Sequence, residues 1–113
     1  MGLRQTRLAD EMRDVLAAVF TGGQLSDPRV TDVTITAVKL SADLQLATVY
    51  FRLYGDKPEQ VAVAAAAGLK SATGFLRRLL ADAFDIRRVP NLRFFYDESI
   101  ERGSKIESLL AQI

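Results

Sequence analysis

Gly68–Leu80, GLKSATGFLRRLL, is the stretch on which the fold turns. Leu69, Ala72, Leu76, Leu79, Leu80 and Ala83 recur at intervals of three and four, so a helix through this stretch presents one apolar stripe to a core. Lys70, Gly74 and Arg77 share the other side, with Arg78 beside them. A glycine at that place costs a helix roughly 1 kcal/mol relative to alanine, so a kink or break is expected at Gly74. The second half of a helix broken there starts with backbone N–H groups between basic flanks, which suits a phosphate. An ordinary surface helix with a tolerated glycine accounts for the same spacing.

Outward from this stretch, the N-terminal side reads as a helix and a hairpin. Leu8, Met12, Val15, Leu16, Val19 and Phe20 repeat with helical spacing opposite Arg4, Arg7, Glu11 and Asp14, and Gly22-Gly23 ends that amphipathic helix. Ser26-Asp27-Pro28-Arg29 reads as a turn into a β-rich run from Val30 to Leu40, whose apolar register changes at Ala37-Val38 as a bulge would make it. Ser41-Ala42-Asp43 is short enough to connect a hairpin, and Leu44 to Tyr54 is the returning antiparallel strand. Gly55-Asp56-Lys57-Pro58 breaks it before an alanine-rich helix over Val61 to Ala67, whose small side chains favour close approach to a sheet. On the C-terminal side, Arg87-Arg88-Val89-Pro90-Asn91 is a basic connection and Leu92 to Tyr96 is a third strand. Asp97, Glu98 and Ser99 are capping-type residues before a last helix striped by Ile106, Leu109, Leu110 and Ile113.

The element order is therefore helix, strand, strand, broken helix, strand, helix. That is the topology of a type II KH domain with an extra C-terminal helix, an α+β arrangement with helices on one face of a three-stranded sheet. A KH domain clamps nucleic-acid backbone with a GxxG loop. This chain has none, since Gly68 is followed three places later by Ser71.

Composition narrows the chemistry. The 113 residues, 49% hydrophobic and 26% charged, make one domain over 1–113. Without cysteine or histidine, disulfides, thiolate chemistry and the commonest general base are excluded, and no metal or cofactor is expected. Asp97 and Glu98 are adjacent and would point to opposite faces of a strand, a poor acid-base pair, and no Walker or Rossmann glycine motif is present, so an enzyme is not expected. The first residues lack an apolar signal core and no apolar run reaches membrane-spanning length, which predicts a cytoplasmic protein. Net charge is only +1, yet between Lys70 and Arg93 the cations Lys70, Arg77, Arg78, Arg87, Arg88 and Arg93 face only Asp82 and Asp85. A solvated helix face explains a run of arginines as readily as a binding site.

A resemblance changes that balance. Asp27-Pro28-Arg29, Val33-Thr34-Ile35-Thr36, Ser41 with Asp43-Leu44, Ala47 with Val49-Tyr50, Ala72-Thr73-Gly74, Val89-Pro90 with Leu92 and Phe94, Asp97 with Ser99, and Gly103 ahead of Ile106 and Leu109-Leu110 together resemble ribosome-binding factor A nearly end to end. In that family an Ala-x-Gly interruption stands where the KH clamp would be, and Ala72-Thr73-Gly74 fits it. The resemblance implies a monomeric cytoplasmic assembly factor that binds the small (30S) ribosomal subunit and its 16S rRNA late in maturation. It further implies support for 5′-end processing of that RNA and a role in cold adaptation, with assembly GTPases as candidate partners. It turns Lys70, Arg77, Arg78, Arg87 and Arg88 into expected phosphate contacts beside Ala72, Thr73 and Gly74, with Arg4 and Arg7 in second rank. Arg77 and Arg78 both lie off the apolar stripe and are expected to be free of the fold. Arg29 could equally brace its turn, and Phe94, Phe95 and Tyr96 are assigned to the core in preference to base stacking.

Overall fold

The computed structural model describes residues 3–98. Helix α1 (Leu3–Thr21) leads through a single 3-10 turn (Pro28–Val30) to strand β1 (Val33–Leu40), then β2 (Leu46–Leu53), helices α2 (Glu59–Ser71) and α3 (Thr73–Phe84), and strand β3 (Asn91–Tyr96). The expected last helix, with its stripe from Ile106 to Ile113, lies outside the described residues, as does Ser99.

The three strands form one sheet in the order β1-β2-β3. β1 and β2 are the expected antiparallel hairpin, with register Val33↔Leu53, Ile35↔Phe51, Val38↔Val49 and Leu40↔Ala47. The register shifts between Ile35 and Ala37, so Thr36 is the extra residue of a bulge. Because side chains alternate with period two, this insertion moves the inward set from Val33 and Ile35 to Val38 and Leu40. All four are buried. β3 runs parallel to β2, Ala47↔Leu92 through Phe51↔Tyr96, a direction reached by the crossover through α2 and α3.

All three helices pack on one face. Met12, Leu16 and Val19 of α1, Ala65 and Leu69 of α2, and Leu76 and Leu80 of α3 share a core with the inward residues of β1 and β2, and Phe94 and Tyr96 of β3 pack against it. Leu92 joins them, so the strand from Leu92 to Tyr96 is paired and the helix-sheet sandwich expected from the element order is present.

Several boundaries depart from expectation, each for a local reason. Val30 is not the first strand residue. It is buried in the 3-10 turn, where Asp27 accepts the Arg29 N–H at 2.9 Å and proline presets the backbone. The returning strand starts at Leu46, because residues 41–45 are a loop. There the Asp43 carboxylate accepts the Ser41 hydroxyl at 2.7 Å and the Gln45 N–H at 3.1 Å. Leu44 in that loop has φ 61°, a left-handed backbone that cannot pair in a strand. The helix break falls at Ala72 (φ −85°, ψ 0°), two residues before Gly74, which lies inside the first turn of α3. Hydroxyls of Ser71 and Thr73 turn back to the carbonyls of Ala67 (3.1 Å) and Leu69 (3.4 Å), competing with the helical ladder on both sides of the break. Ala83, placed on the apolar stripe by spacing, is exposed in the last turn of α3, which ends at Phe84.

Candidate nucleic-acid interface

The break between α2 and α3 sets out the first group of candidate residues. Lys70 in the last turn of α2, Gly74 in the first turn of α3 and Arg78 one turn later follow one another at intervals of four and are all exposed. A Cβ built on Gly74 would meet only the Arg78 guanidinium, at 3.7 Å, so the backbone here is approachable and a cation folds back beside it. Ala72 and Thr73 are half-buried and form the elbow itself. Lys70 also stands at the mouth of an open groove whose floor is Ala66 and Ala67 of α2 and whose far wall is Leu92 to Phe95 of β3. The small residues let helix and strand edge come close, as the alanine-rich composition suggested.

Gly68 has a different task. A Cβ there would lie 2.8 Å from Val30 Cγ1 and 3.2 Å from Arg29 Cβ, so α2 rests directly on the 3-10 turn. Arg29 braces that turn by donating from Nε and Nη2 to the Asp27 carboxylate, the shortest contact being 2.7 Å. The hydrogen bond from Arg29 holds the Asp27 carboxyl below its ordinary range. The glycine that would begin a KH clamp is here consumed by packing.

The second group surrounds the hairpin loop. Arg77, Arg87, Arg88, Val89 and Asn91 line a concave surface with Asp43, Leu44 and Gln45. Arg77 is not free of the fold, contrary to the expectation from its place off the stripe. It is half-buried, and its guanidinium donates to the carbonyls of Val89 (2.9 Å) and Pro90 (3.2 Å), fastening α3 to the connection that carries Arg87 and Arg88. Arg87 and Arg88 are exposed. On the other side of the hairpin, Gln5 Nε2 donates to the carbonyls of Leu40 (2.7 Å) and Ser41 (2.9 Å), which anchors the start of α1 there. Arg4 and Arg7, both exposed, are thereby brought to the same end of the molecule as Arg87 and Arg88.

Charge is left uncompensated on these surfaces. Among the described residues the ion pairs are Arg13–Asp14, Arg29–Asp27 and Lys57–Asp32, and none involves Arg4, Arg7, Lys70, Arg78, Arg87, Arg88 or Arg93. Asp43 is the carboxylate that lines this surface, and the Ser41 hydroxyl and the Gln45 N–H hold its pKa down. Exposed backbone at Gly74 flanked by unpaired cations suits a phosphate backbone more than a small-molecule substrate.

Similarity to known proteins extends over nearly the whole chain. The family model described as ribosome-binding factor A matches residues 4–110. The chain belongs to the ribosome-binding factor A family. A ribosome-binding factor A from Anaeromyxobacter sp. (strain K) is 47% identical over 110 residues, 96% of this chain and 78% of the relative. One from Pelobacter propionicus is 41% identical over 113 residues, 100% of this chain and 90% of the relative. The crystal structure of the family member from Thermus thermophilus superposes with a TM-score of 0.67 at 27% identity, covering 81% of this chain and 94% of that one. A homology model of the Thermus thermophilus ribosome-binding factor A, fitted into the cryo-EM map of a 30S-RBFA complex, superposes with a TM-score of 0.65 at 28% identity, covering 83% and 96%. The KH-like helix-sheet sandwich is thus shared with solved members of this family. No helix among the described residues is long and apolar enough to cross a membrane.

Two features escaped the sequence reading. The first is the Arg77 brace, which has no sequence signal because its acceptors are backbone carbonyls 12 and 13 residues away. The second is Phe95, which is 48% exposed and not part of the core to which it was assigned. Strand alternation alone separates Arg93 and Phe95 from Leu92, Phe94 and Tyr96, so that signal was present in the sequence.

Proposed function

We propose that this chain binds the small ribosomal subunit through its 16S rRNA during late assembly, as a monomer in the cytoplasm. The observation that carries the reading is the approachable backbone at Gly74 between Lys70 and Arg78, whose charges no described carboxylate offsets. Arg87, Arg88, Arg4 and Arg7 extend the phosphate-binding surface around the hairpin end, and Ala72 and Thr73 shape the elbow. Family membership supports the partner, since a relative of 28% identity has been fitted into the map of a 30S complex. Most contacts in this reading are to phosphates, which position the protein without reading sequence. Support for 5′-end processing of the rRNA, a larger need in the cold and release by an assembly GTPase belong to the same proposal.

The test is co-sedimentation with purified small subunits across a salt series. The parent should bind tightly in low salt and lose affinity as salt rises. Arg78→Glu with Arg88→Glu should melt like the parent and bind much more weakly, because each reversal sets a repulsive charge against phosphate. A cell depleted of its own factor and supplied with this double variant should accumulate rRNA with an unprocessed 5′ end, more so in the cold. Salt-independent binding, or undiminished binding by the folded double variant, overturns the proposal.

A further inference from the structure

The described helices cover one face of the sheet, and the other carries two adjacent rows in which Lys39, Arg93 and Phe95 are exposed and Ala37, Thr48 and Tyr50 half-buried. One row crosses the three strands as Ala37, Tyr50 and Phe95, and the next as Lys39, Thr48 and Arg93. The rings of Tyr50 and Phe95 lie side by side with centroids 6.3 Å apart and planes tilted by 37°. The Lys39 ammonium stands 5.5 Å from the Tyr50 ring centroid. Neither Tyr50 nor Phe95 packs on the core, whereas Phe94 and Tyr96, on the opposite side of the same strand, do. The two rings make a cross-strand pair that contributes modestly to the sheet, about 0.2–1 kcal/mol, and Phe95 leaves nearly half of its surface to solvent.

We infer that this open face is a stacking platform for unpaired bases of single-stranded RNA. Splayed bases stack on aromatic side chains, and every base has a π-face to offer, while neighbouring cations take the phosphates. Tyr50 and Phe95 supply the rings, and Lys39 and Arg93 supply charge of the sign that RNA requires. Asp97, a carboxylate at the edge of this face, is engaged by the Thr36 hydroxyl at 2.7 Å. The platform lies across the sheet from the core and meets the helix-break surface at the β3 edge, where Arg93 and Phe95 line the same groove as Lys70. It rests on the reading above only in taking RNA as the partner.

The probes are octauridylate, too short and uniform to fold, and a ribose-phosphate strand of the same length without bases. The full chain should bind octauridylate more tightly than the baseless strand, and aromatic NMR signals of Phe95 and Tyr50 should shift on titration. Phe95→Val keeps β-propensity and removes the ring, so it should weaken octauridylate binding about tenfold and leave the baseless strand unaffected, from a stacking contribution of about 1–3 kcal/mol per base. Equal affinity for the two strands, or unmoved ring signals, overturns the platform. The same holds if Phe95→Val lowers the melting temperature with no change in RNA binding, which would mean that protein covers this face. Small-subunit sedimentation separates the two proposals. A parent that sediments in a salt-sensitive way but shows no base preference loses the platform alone, and one that prefers bases but never sediments with subunits loses only the subunit reading.

Discussion

Gly68, Gly74 and Leu44 have different physical reasons for being what they are. At Gly68 a side chain would strike Val30 Cγ1, which a β-branched residue cannot swing away, so Gly68→Ala should lose stability despite its better helix propensity. Overpacking of about 1–3 kcal/mol set against a propensity gain of about 1 leaves a net loss of up to about 2 kcal/mol. For a domain of this size that lowers a thermal melt by up to about 15 °C. At Gly74 a Cβ meets only the Arg78 guanidinium at an ordinary contact distance of 3.7 Å, so Gly74→Ala should melt no lower than the parent. It should still bind subunits less well, since the methyl group holds a docked backbone away. Leu44 carries a left-handed backbone, and its side chain is exposed and outside the core. Leu44→Gly should therefore stabilise the fold by up to about 1 kcal/mol, read as a higher melting temperature.

At the scale of elements, two braces hold the segments that present the candidate cations. Arg77 ties α3 to the Arg87-Arg88 connection through two carbonyls, and loss of such charge-assisted bonds costs about 1–3 kcal/mol. Arg77→Ala should therefore lower both the melting temperature and subunit binding, whereas Arg78→Ala, at an exposed position, should change stability by within about 0.5 kcal/mol and lower only binding. Comparing the two melts decides whether Arg77 is a brace. The second brace is the Asp27–Arg29 pair under Gly68. The Asp27 pKa is lowered in the folded state, so its contribution is present above the unfolded carboxyl value and is lost as pH falls through the lower folded one. The melting temperature should thus fall in acid, and Asp27→Asn should melt lower than the parent near neutrality while losing part of that acid dependence. An acid limb identical in the two proteins would show that this pair does not couple to folding.

Across the whole molecule, the net charge of +1 conceals a distribution that tertiary structure gathers at the helix break and the hairpin end. If Lys70, Arg78, Arg87 and Arg88 each neutralise one phosphate, the logarithm of affinity should fall against the logarithm of salt with a slope of about −3 to −4. Arg4 and Arg7, if engaged, steepen it further, and their double change to alanine should then flatten it by about 1–2. A slope near zero in the parent would remove phosphate contact as the source of affinity.

Over the described residues the sequence by itself determined the order of helices and strands, the single sheet, a bulge near Ala37 and most of the core, because periodicities of two and 3.6 are local properties of the chain. Leu69, Leu76 and Leu80 are buried where their spacing puts them, and the apolar register changes in β1 where an extra residue enters. The family was legible too, through short motifs in a fixed order. Tertiary structure alone decided the parallel direction of β3, the task of Gly68 and the commitment of Arg77. Each depends on atoms far apart in the chain, Val30 Cγ1 against Gly68 or the carbonyls of Val89 and Pro90 against Arg77. The position of the helix break was settled between these levels, by hydroxyls of Ser71 and Thr73 that compete with the backbone more effectively than one permissive glycine. Phe95 shows the same division: alternation assigns it to the face opposite Phe94, but only the packing of the described helices on the other side leaves it 48% exposed.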